Sequence, residues 1–206
     1  MSNVVPTVFV VDDDPAVLKG LSRLMRAARL EVATFNSPQE FLERHDPNVP
    51  GCLVLDLSMP GLNGLELQEV LTTKGAAVPI IFLTGHGDVP TSVKAMKRGA
   101  LDFLTKPVND DDLLQAVHAA IEKDRIARQA RAEVDDILQR LATLTPRERE
   151  VLTHVVSGQL NKEIAQDLGT VEQTIKVHRA RVMEKMKVDS VAELVRLTER
   201  LKGKTE

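Results

Sequence analysis

The sequence predicts a doubly wound α/β domain with a five-stranded parallel sheet, followed by a small all-α domain of four helices. Over residues 1–122, short apolar runs typical of buried strands alternate with helical segments. Parallel strands need crossover helices between them, and such crossovers are right-handed. From residue 123 onwards the pattern is helical throughout. We therefore predict three parts: residues 1–122, a helical linker at 123–143, and residues 144–206.

The elements of the first part follow from local signals. Apolar runs place the strands near residues 7–11, 31–35, 52–55, 78–83 and 101–104. Asp14 caps the first helix, and Pro15 occupies its favoured first position. A capping box from Ser37 to Glu40 opens the second helix, glycines end the third and fourth, and Asn109 caps the fifth.

Polar side chains stand at or just past the ends of four of these strands. Asp12 and Asp13 follow the first strand, Asp56 follows the third, Thr84 the fourth and Lys106 the fifth. The carboxyl ends of parallel strands border the crevice where ligands bind. Clustered carboxylates repel one another unless a cation lies among them, and Mg²⁺ suits their hard oxygens. A lone Asp56 would merely cap a turn, but this constellation predicts a carboxylate nucleophile for phosphoryl transfer.

Roughly the first 120 residues resemble the receiver domain of two-component response regulators. The residues that carry the resemblance are, in order, Asp12-Asp13, Asp56, Thr84 and Lys106-Pro107. It implies a flavodoxin-like strand order, and that Asp56 accepts a phosphoryl group from the phosphohistidine of a sensor histidine kinase. Lys106 would pair with the phosphoryl oxygens. Asp13, Asp56 and the backbone carbonyl of Ser58 would hold Mg²⁺, with Asp12 acting through a water molecule.

The resemblance also implies a switch next to the phosphorylation site. Thr84 binds the phosphoryl group and the Phe103 ring changes its packing with it, so that the signal is read on the face of the fourth helix and fifth strand. The bond before Pro107 is cis in the family. Val108 stands where many receivers have phenylalanine, which leaves the local packing open. His86, between two glycines, is interpreted as a solvated loop residue rather than a general base.

Composition excludes several classes of protein. No stretch reaches the roughly 20 apolar residues of a membrane span, and the N-terminus lacks a signal-peptide pattern, so we expect no membrane partner and a cytoplasmic location. Cys52 lies in an apolar run and is expected to be buried and inert. The absence of Trp and Tyr argues against a base-stacking binder of single strands, and no dinucleotide-binding glycine motif follows the first strand.

The linker at 123–143 is predicted to continue the last helix of the first part. Apolar residues recur at helical spacing, and neither glycine nor proline interrupts the chain between Val108 and Leu144. The repeat is too imperfect to establish a coiled coil. A dimer seam and packing against the chain's own domains both stay open.

Residues 144–206 are predicted to contain a helix-turn-helix. A capping box opens the first helix, the second begins at Asn161 and ends at Gly169, and the third runs from about Glu172 to Met186. Two short helices joined by a tight glycine turn are typical of this motif, whose second helix lies in the major groove of DNA.

Charge favours nucleic-acid binding over a merely solvated helix face. Residues 1–122 carry 10 Lys and Arg against 16 Asp and Glu, whereas residues 144–206 carry 12 against 10. Between positions 176 and 187 five basic residues accompany a single acid. The net negative charge of residues 1–122 suits a cation site. The net positive charge of residues 144–206 suits DNA because it is concentrated on one helix.

Residues 144–206 also resemble the LuxR-type helix-turn-helix domain. The matching segments are residues 144–152, 161–165 and 174–179. The candidate DNA contacts are Lys162, Thr174, Lys176, Val177, Arg179 and Arg181. By the resemblance Lys176 and Val177 face base edges, whereas Lys162, Thr174 and Arg179 are candidates for phosphate contacts.

The two resemblances in this order are similar to the FixJ/NarL class of response regulators, and the loop from His86 to Pro90 favours the FixJ branch. A basic residue that some members use for base contact is Ala180 here, so operator preference is not carried over. Glu172 is a further candidate, since a carboxylate accepts from cytosine.

We therefore predict a phosphorylation-gated transcription regulator rather than an enzyme. Phosphate on Asp56 would shift a two-state receiver, whose face with Met96 and Phe103 would then dimerise. The dimer would place two recognition helices on paired half-sites of double-stranded DNA, with RNA polymerase as a further partner and activation favoured. An aspartyl-phosphate hydrolase of the haloacid-dehalogenase kind would need an aspartate where Ser58 stands. A third hypothesis, a DNA-binding module indifferent to phosphate, would show equal operator affinity with and without it.

Overall fold

The computed structural model describes residues 5–85 and 89–202. The chain forms two compact units that divide between Arg128 and Gln129. The first unit is α/β, and the second is helical over its described residues. None of the described helices combines the length and the apolar character that crossing a membrane requires. His86 and the two residues after it lie outside the described residues, so the interpretation of that loop stays a prediction.

The first unit is built on a five-stranded parallel sheet. Its strands are β1 (Thr7–Val11), β2 (Glu31–Phe35), β3 (Gly51–Leu55), β4 (Ile80–Thr84) and β5 (Asp102–Thr105). They lie in the order β2-β1-β3-β4-β5, and each neighbouring pair is parallel. This is the flavodoxin-like order, so the predicted fold class is confirmed. Strands β1 and β3 are neighbours, with Val11 opposite Leu55 at their carboxyl ends.

Helices in the first unit cover both faces of the sheet. They are α1 (Pro15–Ala27), α2 (Pro38–Arg44), α3 (Gly64–Thr73), α4 (Val89–Lys97) and the first part of α5 (Asp110–Ala142). The central strands are apolar on both faces because each face packs against helices. One core joins Val8 and Cys52 to buried residues of α1 and α5, and the other joins Phe9 and Leu53 to α2 and α3. Burial raises the pKa of the Cys52 thiol to about 12, so this thiol is unreactive.

The start of α3 is fixed against the backbone of Asp56. Asn63 and Glu66 form a capping box, in which the Asn63 side chain accepts from the Glu66 amide at 3.0 Å and the Glu66 carboxylate accepts from the Asn63 amide at 2.9 Å. A Cβ atom at Gly64 would lie 2.4 Å from the carbonyl oxygen of Asp56. Glycine at this position therefore lets α3 begin directly beside the site.

Helix α5 continues without a break from Asp110 to Ala142, so all but the last residue of the predicted linker lies within one helix. Its turns up to Arg128 are bound to the first unit. The buried Asp124 carboxylate accepts from the Gly51 amide at 2.9 Å and from Arg128 Nε at 2.7 Å. The other nitrogens of the Arg128 guanidinium donate to the carbonyl oxygens of residues 47–49.

The second unit has an apolar core of its own. After the end of α5 its helices are α6 (Pro146–Val156), α7 (Asn161–Asp167), α8 (Glu172–Met186) and α9 (Val191–Lys202). The predicted capping box at the start of α6 is present: Thr145 Oγ1 accepts from the Glu148 amide at 3.3 Å, and Glu148 Oε2 accepts from the Thr145 amide at 2.9 Å. The four helices that the structure describes after α5 agree with the predicted all-α domain.

Candidate functional site

Lys106 contacts two carboxylates at the carboxyl ends of the central strands. Its Nζ lies 2.6 Å from Asp12 Oδ2 and 2.7 Å from Asp56 Oδ1. Asp12 directly follows β1, Asp56 directly follows β3, and Lys106 directly follows β5. Three segments that are far apart in the chain therefore meet at one edge of the sheet, because all its strands are parallel.

Backbone amides bind the other oxygen of each carboxylate. Asp56 Oδ2 accepts from the Ser58 amide at 2.6 Å, and Asp12 Oδ1 accepts from the Asp14 amide at 2.9 Å. The Asp12 and Asp56 side chains are only 4% and 6% exposed, whereas Lys106 is 24% exposed. Lys106 is therefore the most exposed of the three side chains.

Burial and hydrogen bonding act in opposite directions on the pKa values of this cluster. Burial raises the pKa of Asp12, and the hydrogen bonds from Lys106 and the Asp14 amide do not fully reverse this effect. Burial lowers the pKa of Lys106, but its hydrogen bonds to Asp12 and Asp56 outweigh this and hold the pKa above the ordinary lysine value. Lys106 therefore stays a cation, and Asp12 is a destabilised anion.

The cluster of Asp12, Asp56 and Lys106 has a surplus negative charge. Within residues 5–85 and 89–202, no three His, Cys, Asp or Glu side chains are placed so as to hold a metal ion. A metal is also not needed to keep Asp12 and Asp56 together, because the Lys106 ammonium already lies between them. The donor set nevertheless fits Mg²⁺: the carboxylates offer hard oxygen ligands, and the exposed Asp13 adds a third carboxylate next in sequence.

The predicted switch residues lie on the two strands beyond β3. Thr84 is fully buried and is the last residue of β4 rather than part of the loop after it. Its carbonyl oxygen accepts from the Lys106 amide at 2.7 Å. Phe103 is half-buried on β5, opposite Phe82 and with ring centroids 6.2 Å apart. The Lys106–Pro107 peptide bond is cis, as the resemblance implies.

Helices α7 and α8 form the predicted helix-turn-helix in the second unit. Gly169 lies in the turn with a φ of 63°, a left-handed conformation that favours glycine. Ile175, Val182 and Met186 are buried on α8 and fix which side of this helix faces the core. The opposite side of α8 is exposed.

The six candidate DNA contacts differ in their surroundings. Lys162, Lys176, Val177 and Arg181 are exposed, whereas Thr174 and Arg179 are half-buried. Two of the six have partners inside the unit: Lys176 Nζ lies 3.1 Å from Glu172 Oε1, and Arg179 Nη1 donates to Asn161 Oδ1 at 2.9 Å. DNA would have to share or replace these two internal contacts.

Lys185 belongs to the basic run of α8 in the sequence, but its ammonium group binds residues within the second unit. Its Nζ lies 2.6 Å from Glu148 Oε2 and donates to the Thr143 carbonyl oxygen at 3.2 Å. Hydrogen bonds from Lys185 and from the Thr145 amide lower the pKa of Glu148 to about 2. Lys185 therefore does not add to the charge of the exposed face of α8. The positions of the basic residues along the sequence do not distinguish Lys185 from its neighbours.

Two family models match the chain. That of the response regulator receiver domain matches residues 8–118, and that of the bacterial regulatory proteins of the luxR family matches residues 142–198. The chain belongs to the two-component response regulators. It is therefore a DNA-binding transcription regulator, and the hypothesis of an aspartyl-phosphate hydrolase is set aside.

Relatives and solved structures agree with this assignment. Nodulation protein W of Bradyrhizobium diazoefficiens is 47% identical over 194 residues, which cover 94% of this chain and 86% of the relative. The transcriptional regulatory protein FixJ of the same organism is 42% identical over 193 residues, which cover 94% of each chain. The solved structure of response regulator StyR has a TM-score of 0.89 at 48% identity, covering 95% of this chain and 99% of the StyR chain. The predicted membership in the FixJ class is confirmed.

The contact between Asp12 and Lys106 in the regulator's crevice was not predicted from the sequence. The sequence analysis assigned Asp12 only a water-mediated role at a metal. Val11 is paired with Leu55, so the residues that follow them, Asp12 and Asp56, lie side by side. Asp13, the next residue, is exposed, whereas Asp12 is buried. The signal was present in the sequence, since both Asp12 and Asp56 directly follow an apolar run.

Proposed function

We propose that a sensor histidine kinase phosphorylates this regulator on Asp56 and that the phosphorylated form dimerises and regulates transcription. The observation that supports this most directly is the Lys106 ammonium bound to both Asp12 and Asp56 at the carboxyl end of the sheet. A phosphoryl group bound to Asp56 brings further negative charge to a place where a cation is already held. Such a cation stabilises the charge of both the transfer and the product.

The transfer step follows from the chemistry of the carboxylate. An oxygen of Asp56 attacks the phosphorus of the kinase phosphohistidine, a P–O bond forms as the P–N bond breaks, and the leaving imidazole nitrogen takes up a proton from water. Lys106 keeps its proton and donates to the phosphoryl oxygens. Asp13, Asp56 and the Ser58 carbonyl would hold Mg²⁺, with Asp12 acting through water, and the bound ion supplies charge neutralisation for the same oxygens.

We assign the surface that responds to phosphorylation to α4 and β5. Thr84 binds the phosphoryl group through its hydroxyl, and the half-buried Phe103 changes its packing with it. Val89, Val93 and Met96 on α4 are 75%, 45% and 45% exposed, and their spacing places them on one face of the helix. An exposed apolar stripe is typical of an interaction site, so we assign the phosphorylation-dependent homodimer contact to this face.

The second unit then acts on double-stranded DNA. A two-fold dimer presents two α8 helices to paired half-sites. Lys176 and Val177 are assigned to base edges, and Lys162, Thr174 and Arg179 to phosphates. Arg181 is a further DNA contact. The proposal includes transcription activation through RNA polymerase, a cytoplasmic site of action, and a functional division into a receiver at 1–122, a linker at 123–143 and a DNA-binding domain at 144–206.

Replacement of the nucleophile tests the proposal. Asp56→Asn keeps an oxygen acceptor for Lys106 but removes the carboxylate, so the fold is retained and phosphorylation is lost. In sedimentation velocity, acetyl phosphate with Mg²⁺ should convert the wild type into a dimer and leave the variant monomeric. Asp111→Asn, an exposed change at the start of α5, should dimerise like the wild type.

Two results would count against this function. A variant lacking Asp56 that dimerises as fully as the wild type would show that the carboxylate is not the acceptor. Equal operator affinity with and without the phosphodonor would favour the DNA-binding module that is indifferent to phosphate.

A further inference from the structure

We propose that α8 reads A·T base pairs, with the Gln173 amide binding adenine and the Val177 side chain contacting the methyl group of thymine. This inference rests on the proposed placement of α8 in the major groove. It adds Gln173, which the LuxR resemblance does not assign, as a residue that determines operator specificity.

The geometry of α8 places Gln173 on the side that faces away from the core. An α-helix turns about 100° per residue, so a residue two positions from a buried one lies about 200° away, on the opposite side. Ile175 and Val182 are completely buried. Gln173 and Val177 each lie two positions from Ile175, Ala180 lies two positions before Val182, and all three are exposed. They form one outward stripe with i, i+4, i+7 spacing.

Basic residues border this outward stripe on both sides. Lys176 follows the buried Ile175 and Arg181 precedes the buried Val182, so the two side chains are turned about 100° from the core in opposite directions. Both are exposed. The neutral part of the stripe, between two basic edges, fits a helix in a groove that two phosphate strands border. The exposed Glu184 continues the stripe towards the C-terminus of α8. The outward stripe then faces the base edges, and the long Lys176 side chain can reach either a phosphate or a base.

The chemistry of the outward stripe selects A·T pairs. The Gln173 amide carries a donor and an acceptor, which match adenine N6 and N7, and the branched apolar end of Val177 matches the C5 methyl group of thymine. Ala180 is small and lets the helix approach closely. The Glu172 carboxylate lies 3.1 Å from Lys176 Nζ and is the alternative candidate on this helix, towards cytosine.

Selection from random DNA tests this assignment. The full-length protein, phosphorylated with acetyl phosphate and Mg²⁺, is mixed with duplexes whose randomised segment accommodates two half-sites, and the bound duplexes are sequenced. The wild type should select adenine at one position of each half-site. Gln173→Ala should lower that preference by about tenfold or more and leave the other positions unchanged, whereas Gln173→Glu should shift it towards cytosine. Val177→Ala should weaken only a neighbouring thymine.

The control variants distinguish a wrong base assignment for Gln173 from a wrong placement of α8 in the major groove. Gln139→Ala removes an exposed glutamine from α5 and should leave each preference unchanged. A wild-type motif without adenine, or an adenine preference that survives in Gln173→Ala, overturns the inference even where Lys176→Ala and Arg181→Ala weaken binding. If Lys176→Ala and Arg181→Ala bind as tightly as the wild type, the placement of α8 in the groove is itself wrong.

Discussion

Each unit of this response regulator contains a buried lysine–carboxylate cluster, and the two clusters are charged differently. In the first unit Lys106 binds two carboxylates, and burial raises the pKa of one of them, Asp12. In the second unit Lys185 binds one carboxylate, that of Glu148, whose pKa is lowered to about 2 by Lys185 and the Thr145 amide. A balanced cluster stabilises a fold, whereas a cluster with surplus negative charge is able to take up a cation and to react.

The largest expected effect is the loss of Glu148 from the balanced cluster. Glu148→Ala should lower the free energy of unfolding of the second unit by about 3 kcal/mol, because it leaves Lys185 without its carboxylate and removes a capping box. Amide hydrogen exchange in α6 and α8 measures this unit separately. Glu150→Ala on the same helix breaks only the exposed pair with Arg147 and should change stability by less than about 1 kcal/mol. Equal losses in the two variants would contradict the structural role of Glu148.

Removing the lysine should reveal which cluster accepts a metal. Lys106→Met leaves Asp12 and Asp56 adjacent without a cation, so the first unit should lose about 2 kcal/mol of stability in EDTA. Mg²⁺ should restore part of this loss and raise the melting temperature of the variant more than that of the wild type. Lys185→Met should destabilise the second unit equally in EDTA and in Mg²⁺. A Mg²⁺ response of the same size in both variants would remove the distinction between the clusters.

An effect about as large as that of Lys106→Met is expected from the glycine that lets α3 begin beside Asp56. Gly64→Ala places a methyl group where a Cβ would lie 2.4 Å from the Asp56 carbonyl oxygen, which should destabilise the first unit by about 2 kcal/mol. Gly20 is the matched control, because it lies inside α1 with open space around its Cβ position. Gly20→Ala should stabilise the same unit by about 1 kcal/mol, and urea unfolding distinguishes the two signs. A neutral Gly64→Ala would show that the start of α3 is not held against the crevice.

The smallest expected effects are opposite responses to acid in the two units. The folded-state pKa of Glu148 lies below its ordinary value of 4.5, so its stabilisation is present above pH 4.5 and is lost as the pH falls towards about 2. The folded-state pKa of Asp12 lies above its ordinary value of 3.8, so protonation of Asp12 favours the folded first unit as the pH falls. Hydrogen exchange compared with Glu148→Gln and Asp12→Asn isolates each contribution. Asp12→Asn should also stabilise the first unit at neutral pH, and contributions of the same sign would contradict the charge comparison.

The elements were largely predictable because local signals agree with the global fold. Apolar runs define β1 and β3, and the Thr145 to Glu148 capping box marks the start of α6. The fourth strand was predicted from Val78 but begins at Ile80. Pro79 has no amide to donate, so it serves only as an acceptor, with its carbonyl oxygen bound by the Leu53 amide at 2.9 Å.

The candidate sites were predictable only in part. Each crevice residue follows an apolar run, and parallel strands bring such residues to one edge. Which carboxylate Lys106 binds depends instead on strand register and side-chain placement, and this pairing was not predicted. The same holds for Lys185, whose sequence neighbours are equally basic but whose partner Glu148 lies 37 positions away. Long-range pairing of this kind has no periodic signal in the sequence.

Intact-protein mass spectrometry tests most directly whether the surplus-charge cluster is the reactive one. After incubation with acetyl phosphate and Mg²⁺, the wild type should gain the mass of one phosphoryl group, and peptide mapping should place it on Asp56. Asp56→Asn should gain nothing, whereas Glu148→Gln should be modified like the wild type. A phosphoryl group of equal abundance on Asp56→Asn, or none on the wild type, would contradict the account.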